Sequence, residues 1–433
     1  MIRLSILAAA LLASATPIGA QTFAITNGTV ALGDGSEPMR GATVVFRNGR
    51  IVAAGPGVSV PAGAQVIDAN GKWVTPGIVA GFSRLGLAEV DLGADGSDDT
   101  ETGSSPFSAA IDVAPAINPK ASTIAVSRSD GVTRAVVAPV AGRSIFGGQG
   151  AVIDTGDDMT PVLRARAFQF VELGEGGAEK AGGSRAASFL LFRNALREAR
   201  DLGPRIDGPR RDDVLLNRAD SAALVPIVSG QQLLLVHVER AVDILNVLDL
   251  RREFPGLKIV LVGVTEGWTV ADKIAASGVW VIASALNDLP ASFEMLAATQ
   301  SNVGRMRAAG VKVAIGMIDD NDTRYVRNQR QYAGNLVALS KVPGASGLSW
   351  GEAFAMISSR PAEAVGLGGE IGSLAAGRRG DVVIWSGDPL DLSSAPEAVW
   401  IDGVRQLLDN HQTRLRDRYR SLERRDLPEA YRQ

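Results

Sequence analysis

The chain contains no cysteine and only two histidines, His237 and His411, among its 433 residues. Without cysteine there is no disulfide, no thiolate nucleophile and no cysteine metal site. Two imidazoles also exclude any site that needs three or four histidine ligands. The formal net charge is only -3, which gives no electrostatic reason to expect nucleic acid or anionic lipid as a partner.

The composition is that of an ordinary globular protein with a large core, because 46% of the residues are hydrophobic and 21% are charged. Residues 1–20 have a basic start, a short apolar stretch and a small last residue, Ala20. This pattern predicts a signal peptide that is cut after Ala20. The alternative, a membrane-spanning first helix, is disfavoured because the apolar stretch is short and precedes Pro17. We therefore expect an exported, periplasmic protein with no membrane span in its mature chain.

Short apolar runs of β type occupy both ends of the remaining chain and are separated by turn pairs. The pairs are Asn27-Gly28, Asn48-Gly49, Asn70-Gly71 and Asp402-Gly403. Alternating apolar residues broken by Asn-Gly or Asp-Gly are typical of β-hairpins. The pattern predicts a small β-sandwich domain made of residues 21–73 together with residues 368–410.

The middle of the chain, residues 74–367, alternates strand-length apolar runs with helical stretches whose apolar residues recur at three and four positions. This order predicts an α/β fold, a TIM-like (β/α)8 barrel whose functional groups lie at the carboxyl ends of the strands. Gly93–Ser108 is acidic and rich in glycine, serine and threonine, which predicts a mobile loop after the first barrel strand. Residues 411–433 are expected to form a charged helical tail, a solvated face or a subunit contact.

Eight short segments carry a resemblance to a known family. They are residues 24–30, 49–55, 66–77, 131–133, the Gly-Gly-Gln-Gly turn at 147–150, 359–363, 372–374 and 377–385. In this order they resemble the amidohydrolase superfamily, close to its exported imidazolonepropionase-like members. The resemblance implies a metal-dependent hydrolase of amide or other C–N bonds, in which the ion polarises the carbonyl and lowers the pKa of a bound water.

The first barrel strand departs from the family pattern. Members of the family place Asp-x-His-x-His after a V-x-P-G turn, but here Ala80, Phe82 and Arg84 stand at those three positions. An aryl ring and a permanent cation cannot donate a lone pair to a metal ion, so a two-metal site is not expected. Two roles stay open for Arg84. It pairs with Glu175 or Asp319 in place of the metal, or it holds a substrate carboxylate in two-pronged fashion.

The remaining ligand candidates come from the resemblance. His237 follows an apolar strand where the family has a ligating histidine, although a lone histidine there is by default an ordinary hydrogen-bonded residue. Glu175 lies where related sugar deacetylases use a glutamate ligand, and its alternative is a plain turn residue. Glu266 ends the next strand, where it either coordinates a metal or caps the following helix.

Asp319 is the candidate for ligand and general base. The family pattern there is Gly-Thr-Asp, and direct alignment puts Ile318 on the aspartate. Asp319 recovers the role only if the loop gains one residue. One imidazole and two carboxylates with open positions suit a single zinc ion, with manganese or iron as alternatives.

Two functions are consistent with these residues. The first is a hydrolase that cleaves a small amide or peptide-like substrate at a reduced, mononuclear metal site; the scaffold and His237 favour it. The second is a catalytically inactive, metal-free barrel that serves as a binding module or as the partner of an active paralogue; Phe82, Arg84 and Ile318 favour it. The corresponding assemblies are a homo-oligomer and a heteromer with that paralogue.

Overall fold

A computed structural model describes residues 21–89, 98–205, 214–285, 287–318 and 324–420 of the chain. The predicted signal peptide and the catalytic candidate Asp319 lie outside these ranges. Parts of the predicted loop Gly93–Ser108 and of the predicted tail 411–433 also lie outside them.

Within the described ranges the chain forms sixteen β-strands and eleven α-helices. The strands are β1 (Thr22–Val30), β2 (Met39–Arg47), β3 (Arg50–Gly55), β4 (Gln65–Asp68), β5 (Trp73–Pro76), β6 (Ile78–Ser83), β7 (Val132–Val137), β8 (Phe146–Asp154), β9 (Val162–Glu172), β10 (Leu233–Val238), β11 (Lys258–Gly263), β12 (Trp280–Ala283), β13 (Lys312–Ile315), β14 (Val382–Trp385), β15 (Pro396–Ile401) and β16 (Val404–Arg405).

The α-helices are α1 (Ser122–Ser129), α2 (Gly174–Lys180), α3 (Arg185–Leu202), α4 (Arg218–Val228), α5 (Ala241–Glu253), α6 (Ala271–Ser277), α7 (Asn302–Ala308), α8 (Gln329–Ala338), α9 (Trp350–Ala355), α10 (Ser359–Ala364) and α11 (His411–Tyr419). Short 3-10 helices lie at Ala114–Ala116, Gly203–Arg205, Gly267–Val270, Phe293–Met295, Val326–Asn328 and Leu339–Lys341. Among the described residues, none of these helices has the length and apolar character needed to cross a membrane.

The first sheet is built from both ends of the chain. Its strands follow the order β16-β15-β14-β5-β1-β2-β3, and β4 pairs with β1 beside β5. Asn27, Asn48 and Asn70 have positive φ values of 55°, 52° and 50°, a conformation that asparagine tolerates in tight turns. A β-sandwich was predicted for this region, whereas the described strands join in one hydrogen-bonded sheet.

The second sheet holds β6 to β13 in sequence order and is nearly closed. Met317 N donates to Phe82 O at 3.1 Å, which brings the chain after β13 to the end of β6. Seven of the described strands run parallel, but β8 is antiparallel to both β7 and β9. The prediction of a (β/α)8 barrel therefore differs from the structure at β8. The reason is the short connections on both sides of β8, since a parallel neighbour needs a crossover of a dozen or more residues.

The glycines of β8 have a packing role. Residues 147–150 were interpreted as a turn, but they lie inside β8. A β-carbon on Gly147 would lie 2.8 Å from Phe170 Cδ1, and one on Gly150 would overlap the Phe168 ring. Glycine is needed there because both phenylalanine side chains of β9 cross the neighbouring strand.

Candidate functional site

A cavity of about 280 Å³ lies at the carboxyl ends of the barrel strands. Strands β6, β9 and β10 end at its wall, so side chains that follow different strands meet in one space. Its lining includes Phe82, Arg84, Glu172, Lys180, His237 and Glu239. We call this space the mouth cavity. It contains the two sequence candidates His237 and Arg84, together with two glutamates that were not predicted.

His237 is held between two carboxylates. Its Nδ1 lies 2.7 Å from Glu172 Oε1, and its Nε2 lies 2.9 Å from Glu239 Oε1. An ionised carboxylate only accepts hydrogen bonds, so both ring nitrogens donate and the ring is an imidazolium. We call these three side chains the carboxylate clamp. Burial alone would lower the pKa of His237, but the charges and hydrogen bonds of Glu172 and Glu239 raise that pKa well above its usual value.

Glu239 is the more buried arm of the clamp, with only 2% of its side chain exposed. Its Oε2 accepts a hydrogen bond from Thr265 N at 2.7 Å, just after β11. The preceding residue, Val264, has a φ of 59°, which is unusual for a β-branched residue. Asn302 fixes this turn by donating to Val264 O at 2.9 Å. The backbone after β11 is therefore shaped around the Glu239 carboxylate.

Arg84 lies across two aromatic rings at the wall of the mouth cavity. Its guanidinium carbon is 4.9 Å from the centroid of Phe82 and 5.5 Å from that of Phe170. Its Nη1 donates to Ala138 O at 2.7 Å. Only 6% of the residue is exposed. Cation–π contacts and a carbonyl thus hold a positive charge next to the clamp.

Glu175 pairs with Arg185. It lies in the first turn of α2, and its Oε1 is 3.4 Å from Arg185 Nη2. Arg185 also contacts Glu294 and Asp243 at 3.0 and 3.1 Å. Burial raises the pKa of Glu294, although the Glu175 N–H and Arg185 oppose the increase. The structure therefore places Glu175 in an ion-pair network around Arg185, while Glu172 and Glu239 contact His237.

Glu266 caps a helix. Its Oε2 accepts a hydrogen bond from Ala241 N, the first residue of α5, at 3.0 Å, and its Oε1 accepts one from Ala297 N at 3.2 Å. A carboxylate there accepts a hydrogen bond from a backbone N–H that has no partner within the helix, and its negative charge is stabilised by the positive end of the helix dipole. Of the two roles considered for Glu266, the structure shows capping, but of α5, which precedes it, and not of the helix that follows.

The described donors do not converge on a point where a metal ion would fit. Glu172 and Glu239 approach opposite nitrogens of one ring, so no single position lies within about 2 Å of all three groups, as zinc would require. Among the described residues, no group of three histidine, aspartate or glutamate side chains is arranged to hold a metal. Asp319 lies outside those residues, and the metal stays a prediction from the resemblance.

Glu172 and Glu239 were not predicted from the sequence. The spacing of His237 and Glu239 was available as a signal, because residues two apart at the end of a strand point to the same side. Glu172 carried no such signal, because it is the last residue of β9 and lies in none of the segments that carry the family resemblance. The pairing of β9 with β10, which puts Glu172 beside His237, is a tertiary feature.

Comparison with known proteins agrees with this architecture. The sequence profile of the Amidohydrolase family matches residues 277–405. The amidohydrolase from Thermotoga maritima MSB8 has a TM-score of 0.76 at 23% identity, covering 89% of this chain and 99% of that one. An imidazolonepropionase from Acidiphilium cryptum is 36% identical over 104 residues, 24% of each protein. Residues 277–405 thus match the Amidohydrolase family, and the chain has the fold of the Thermotoga maritima amidohydrolase.

Other amidohydrolase relatives are more distant or match over shorter segments. Amidohydrolase tasK from Hapsidospora irregularis is 41% identical over 63 residues, which are 14% of this chain and 6% of that protein. The chain thus matches about a quarter or less of the length of these two curated relatives. An adenosine deaminase from Xanthomonas campestris with bound zinc has a TM-score of 0.52 at 16% identity, covering 93% of this chain and 98% of that one. At this identity the likeness concerns the amidohydrolase fold alone.

Proposed function

We propose that the chain binds a small amide or peptide-like molecule in the mouth cavity and hydrolyses its C–N bond. One observation carries the proposal: the mouth cavity brings the Glu172 carboxylate and the Arg84 guanidinium together at the carboxyl ends of the barrel strands. Barrels of this kind hold their reactive groups at that face. The amidohydrolase profile and the structural neighbours support the reaction class.

Glu172 is the group best placed to activate water. Its side chain is 18% exposed, and its Oε1 is oriented by His237 Nδ1. In the proposed reaction Glu172 accepts a proton from water as the oxygen attacks the carbonyl carbon. The C–N bond then breaks, and the proton passes to the departing nitrogen. His237 acts here as a positioning residue, because both of its nitrogens are already engaged.

Positive charge at the mouth cavity suits the negative oxygen that develops on the carbonyl. Arg84 and Lys180 both line the space. Preorganised cations in a site that excludes water stabilise such a charge more strongly than water does. No step is assigned to a metal ion, because the described donors do not fit one.

The test is an assay with N-acetylated amino acids and dipeptides, run after chelator treatment and again with added zinc or manganese. We expect turnover without added metal and a loss of about 100-fold or more in Glu172→Gln. Glu179→Gln is the matched control, since Glu179 is an exposed glutamate of the same region. No turnover under either condition, or turnover only with added metal, contradicts this mechanism.

A second candidate function is a non-catalytic barrel that binds a ligand or an active paralogue. The observation that favours it is the engagement of both His237 nitrogens by carboxylates. Under this proposal the same compounds bind, as measured by calorimetry, but are not hydrolysed. A heteromer would elute together with the paralogue in size-exclusion chromatography, whereas the hydrolase alone would elute as a monomer or homo-oligomer.

The metal content of the purified protein distinguishes the two candidate functions above from the mononuclear metal site that the family resemblance predicts. One zinc, manganese or iron ion per chain, lost in His237→Ala, would support the mononuclear metal site. Export to the periplasm is likewise a proposal, and a mature amino terminus at Gln21 would support it.

A further inference from the structure

A second, larger cavity lies at the opposite end of the barrel. Its volume is about 800 Å³, and it is lined by Leu233 and Lys258, the first residues of β10 and β11. His237 lies four residues further along β10. At about 3.3 Å per residue the two ends of this stretch are about 13 Å apart. We call this space the base cavity, and it is separate from the mouth cavity.

Among the described residues, the charged side chains that line the base cavity are all cations: Arg164, Arg166 and Lys258. Arg166 pairs with Asp112 at 2.8 Å, and Arg164 pairs with Glu370 at 3.1 Å. Lys258 forms no ion pair within the described part of the chain. The wall therefore carries a net positive charge, which suits an anionic group.

A buried amide at this wall lacks one hydrogen bond. Gln232 is 8% exposed, and its Nε2 donates to Arg166 O at 2.7 Å and to Gln149 Oε1 at 3.2 Å. These two bonds use both amide hydrogens and fix the orientation of the side chain. Among the described residues, Gln232 Oε1 has no partner. Buried acceptors in folded proteins are normally hydrogen-bonded, and an N–H or O–H donor of a ligand would supply the missing bond.

The backbone at Arg166 is strained. Arg166 has a φ of 49°, the left-handed region. Between the pairs Gly150–Phe168 and Val152–Arg164, β9 carries two residues more than β8. This bulge turns Arg166 O toward Gln232. Bulges and strained residues of this type concentrate at binding sites.

The opposite wall is apolar and made of small side chains. Ala219, Ala222 and Ala223 of α4 line it. Asp220 of the same helix accepts hydrogen bonds from Ser108 N at 2.9 Å and Ala110 N at 2.8 Å, which fastens the adjoining segment. The fixed wall of alanines leaves room for a ligand of the size that protein cavities commonly hold.

We propose that the base cavity binds a small anionic amphiphile: a carboxylate at Lys258 and Arg164, a neighbouring N–H at Gln232 Oε1, and an apolar chain along the alanines of α4. Three separate observations support it, namely the cationic lining, the incomplete amide and the strained bulge. The proposal does not depend on hydrolysis at the mouth cavity.

The test is calorimetric titration of the full-length mature protein with N-octanoylglycine, which carries all three groups. Octanoate lacks the N–H, N-octylacetamide lacks the carboxylate, and inorganic phosphate lacks the apolar chain. We expect N-octanoylglycine to bind most tightly and each of the other three at least about tenfold more weakly. Octanoate and N-octylacetamide each lose one hydrogen bond to a charged or buried group, and phosphate loses the burial of the apolar chain. Equal binding of octanoate and N-octanoylglycine would overturn the role of Gln232, and tighter binding of phosphate would overturn the amphiphile.

Variants locate the site. Lys258→Gln and Arg164→Gln should each raise the Kd for N-octanoylglycine about tenfold, whereas Lys273→Gln, a change at an exposed lysine of α6, should leave it unchanged. Ala222→Trp should abolish binding by filling the cavity, and circular dichroism confirms that each variant is folded. Binding that is unchanged in Lys258→Gln and Arg164→Gln but lost in Arg84→Met would place the ligand in the mouth cavity and overturn the proposal.

Discussion

Gly263 lies so close to Glu239 that a β-carbon on Gly263 would overlap the Glu239 Oε1 atom. The same β-carbon would lie 2.8 Å from His237 Cδ2. Gly263 also has a φ of 87°, which other residues rarely adopt. The last residue of β11 is thus glycine for two reasons, its backbone conformation and the space taken by the carboxylate clamp.

Gly263→Ala should therefore destabilise the protein through both effects. The backbone conformation costs about 1–2 kcal/mol for alanine, and the clash with the clamp adds about 1–3 kcal/mol. Gly310→Ala is the matched control, because Gly310 has a φ of 86° and nothing within 4 Å of its added β-carbon. Urea unfolding gives the free energy of unfolding of both variants, and the difference between their losses isolates the cost of the clash from that of the backbone conformation. Equal losses in the free energy of unfolding would show that a β-carbon at Gly263 does not clash with the carboxylate clamp.

His237 should contribute to stability as the counterion of a buried carboxylate. His237→Gln leaves Glu239, of which 2% is exposed, without its cation. Removing one partner of a buried ion pair costs about 3–5 kcal/mol. His411→Gln is the control, since His411 is the other histidine and is exposed at the start of α11. A loss in the free energy of unfolding below about 1 kcal/mol for His237→Gln would contradict the clamp.

The loss in the free energy of unfolding caused by His237→Gln should depend on pH, and the sign of that dependence is defined. The pKa of His237 is raised in the folded state, so its contribution is complete below its unfolded pKa and disappears as the pH rises through the folded value. The difference between wild type and His237→Gln should consequently be larger at pH 6 than at pH 9.5. A difference that grows with pH would show that the ring is neutral in the fold.

Local patterns predicted many elements correctly. The alternation of apolar runs and helical stretches predicted for residues 74–367 is present in the structure, where for example Lys312–Ile315 forms β13 and Ala241–Glu253 forms α5. Both depend on hydrophobic periodicity within one segment, which the sequence contains directly. The superfamily was also identified correctly, because its short segments occur in order along most of the chain.

Features that depend on contacts between strands were not predictable in the same way. The reversed direction of β8 and the packing of Phe168 across Gly150 follow from tertiary pairing. At the site, Glu175 was expected to bind a metal together with His237, whereas the structure pairs Glu175 with Arg185 and places Glu172 against His237. A resemblance transfers the position of a ligand, but the rotamer and the hydrogen-bond partner of a glutamate are set by its neighbours in space.

Asp154 predicts a further pH effect on stability. Burial, opposed by Arg134, raises the pKa of Asp154 to about 6. A carboxyl whose folded pKa is raised binds more protons in the folded state, so stability falls as the pH rises from its unfolded pKa through about 6. Asp154→Asn should remove this fall, worth about 2–3 kcal/mol, and be more stable than wild type at pH 7.5 but not at pH 4. Asp249→Asn, at an exposed site, should leave the unfolding profile unchanged. A profile for Asp154→Asn that matches wild type would contradict the raised pKa.

Arg134 should join the two sheets of the protein. Its side chain is fully buried in β7, and its Nε and Nη2 donate to Asp381 at 2.7 and 2.8 Å, just before β14. Because Asp381 is only 3% exposed, Arg134→Met leaves a buried charge and should cost about 3–5 kcal/mol. Arg134→Lys keeps the charge but loses the two-pronged geometry, and should lie between wild type and Arg134→Met.

Two further variants make this prediction specific. Arg193→Met, at an arginine that is 47% exposed and pairs with Glu253, should cost at most about 1 kcal/mol. Arg134→Met combined with Asp381→Asn removes both charges, and should recover part of the loss seen in Arg134→Met alone. If the double variant were no more stable than Arg134→Met in denaturant titrations, the loss would not come from the unpaired Asp381 carboxylate.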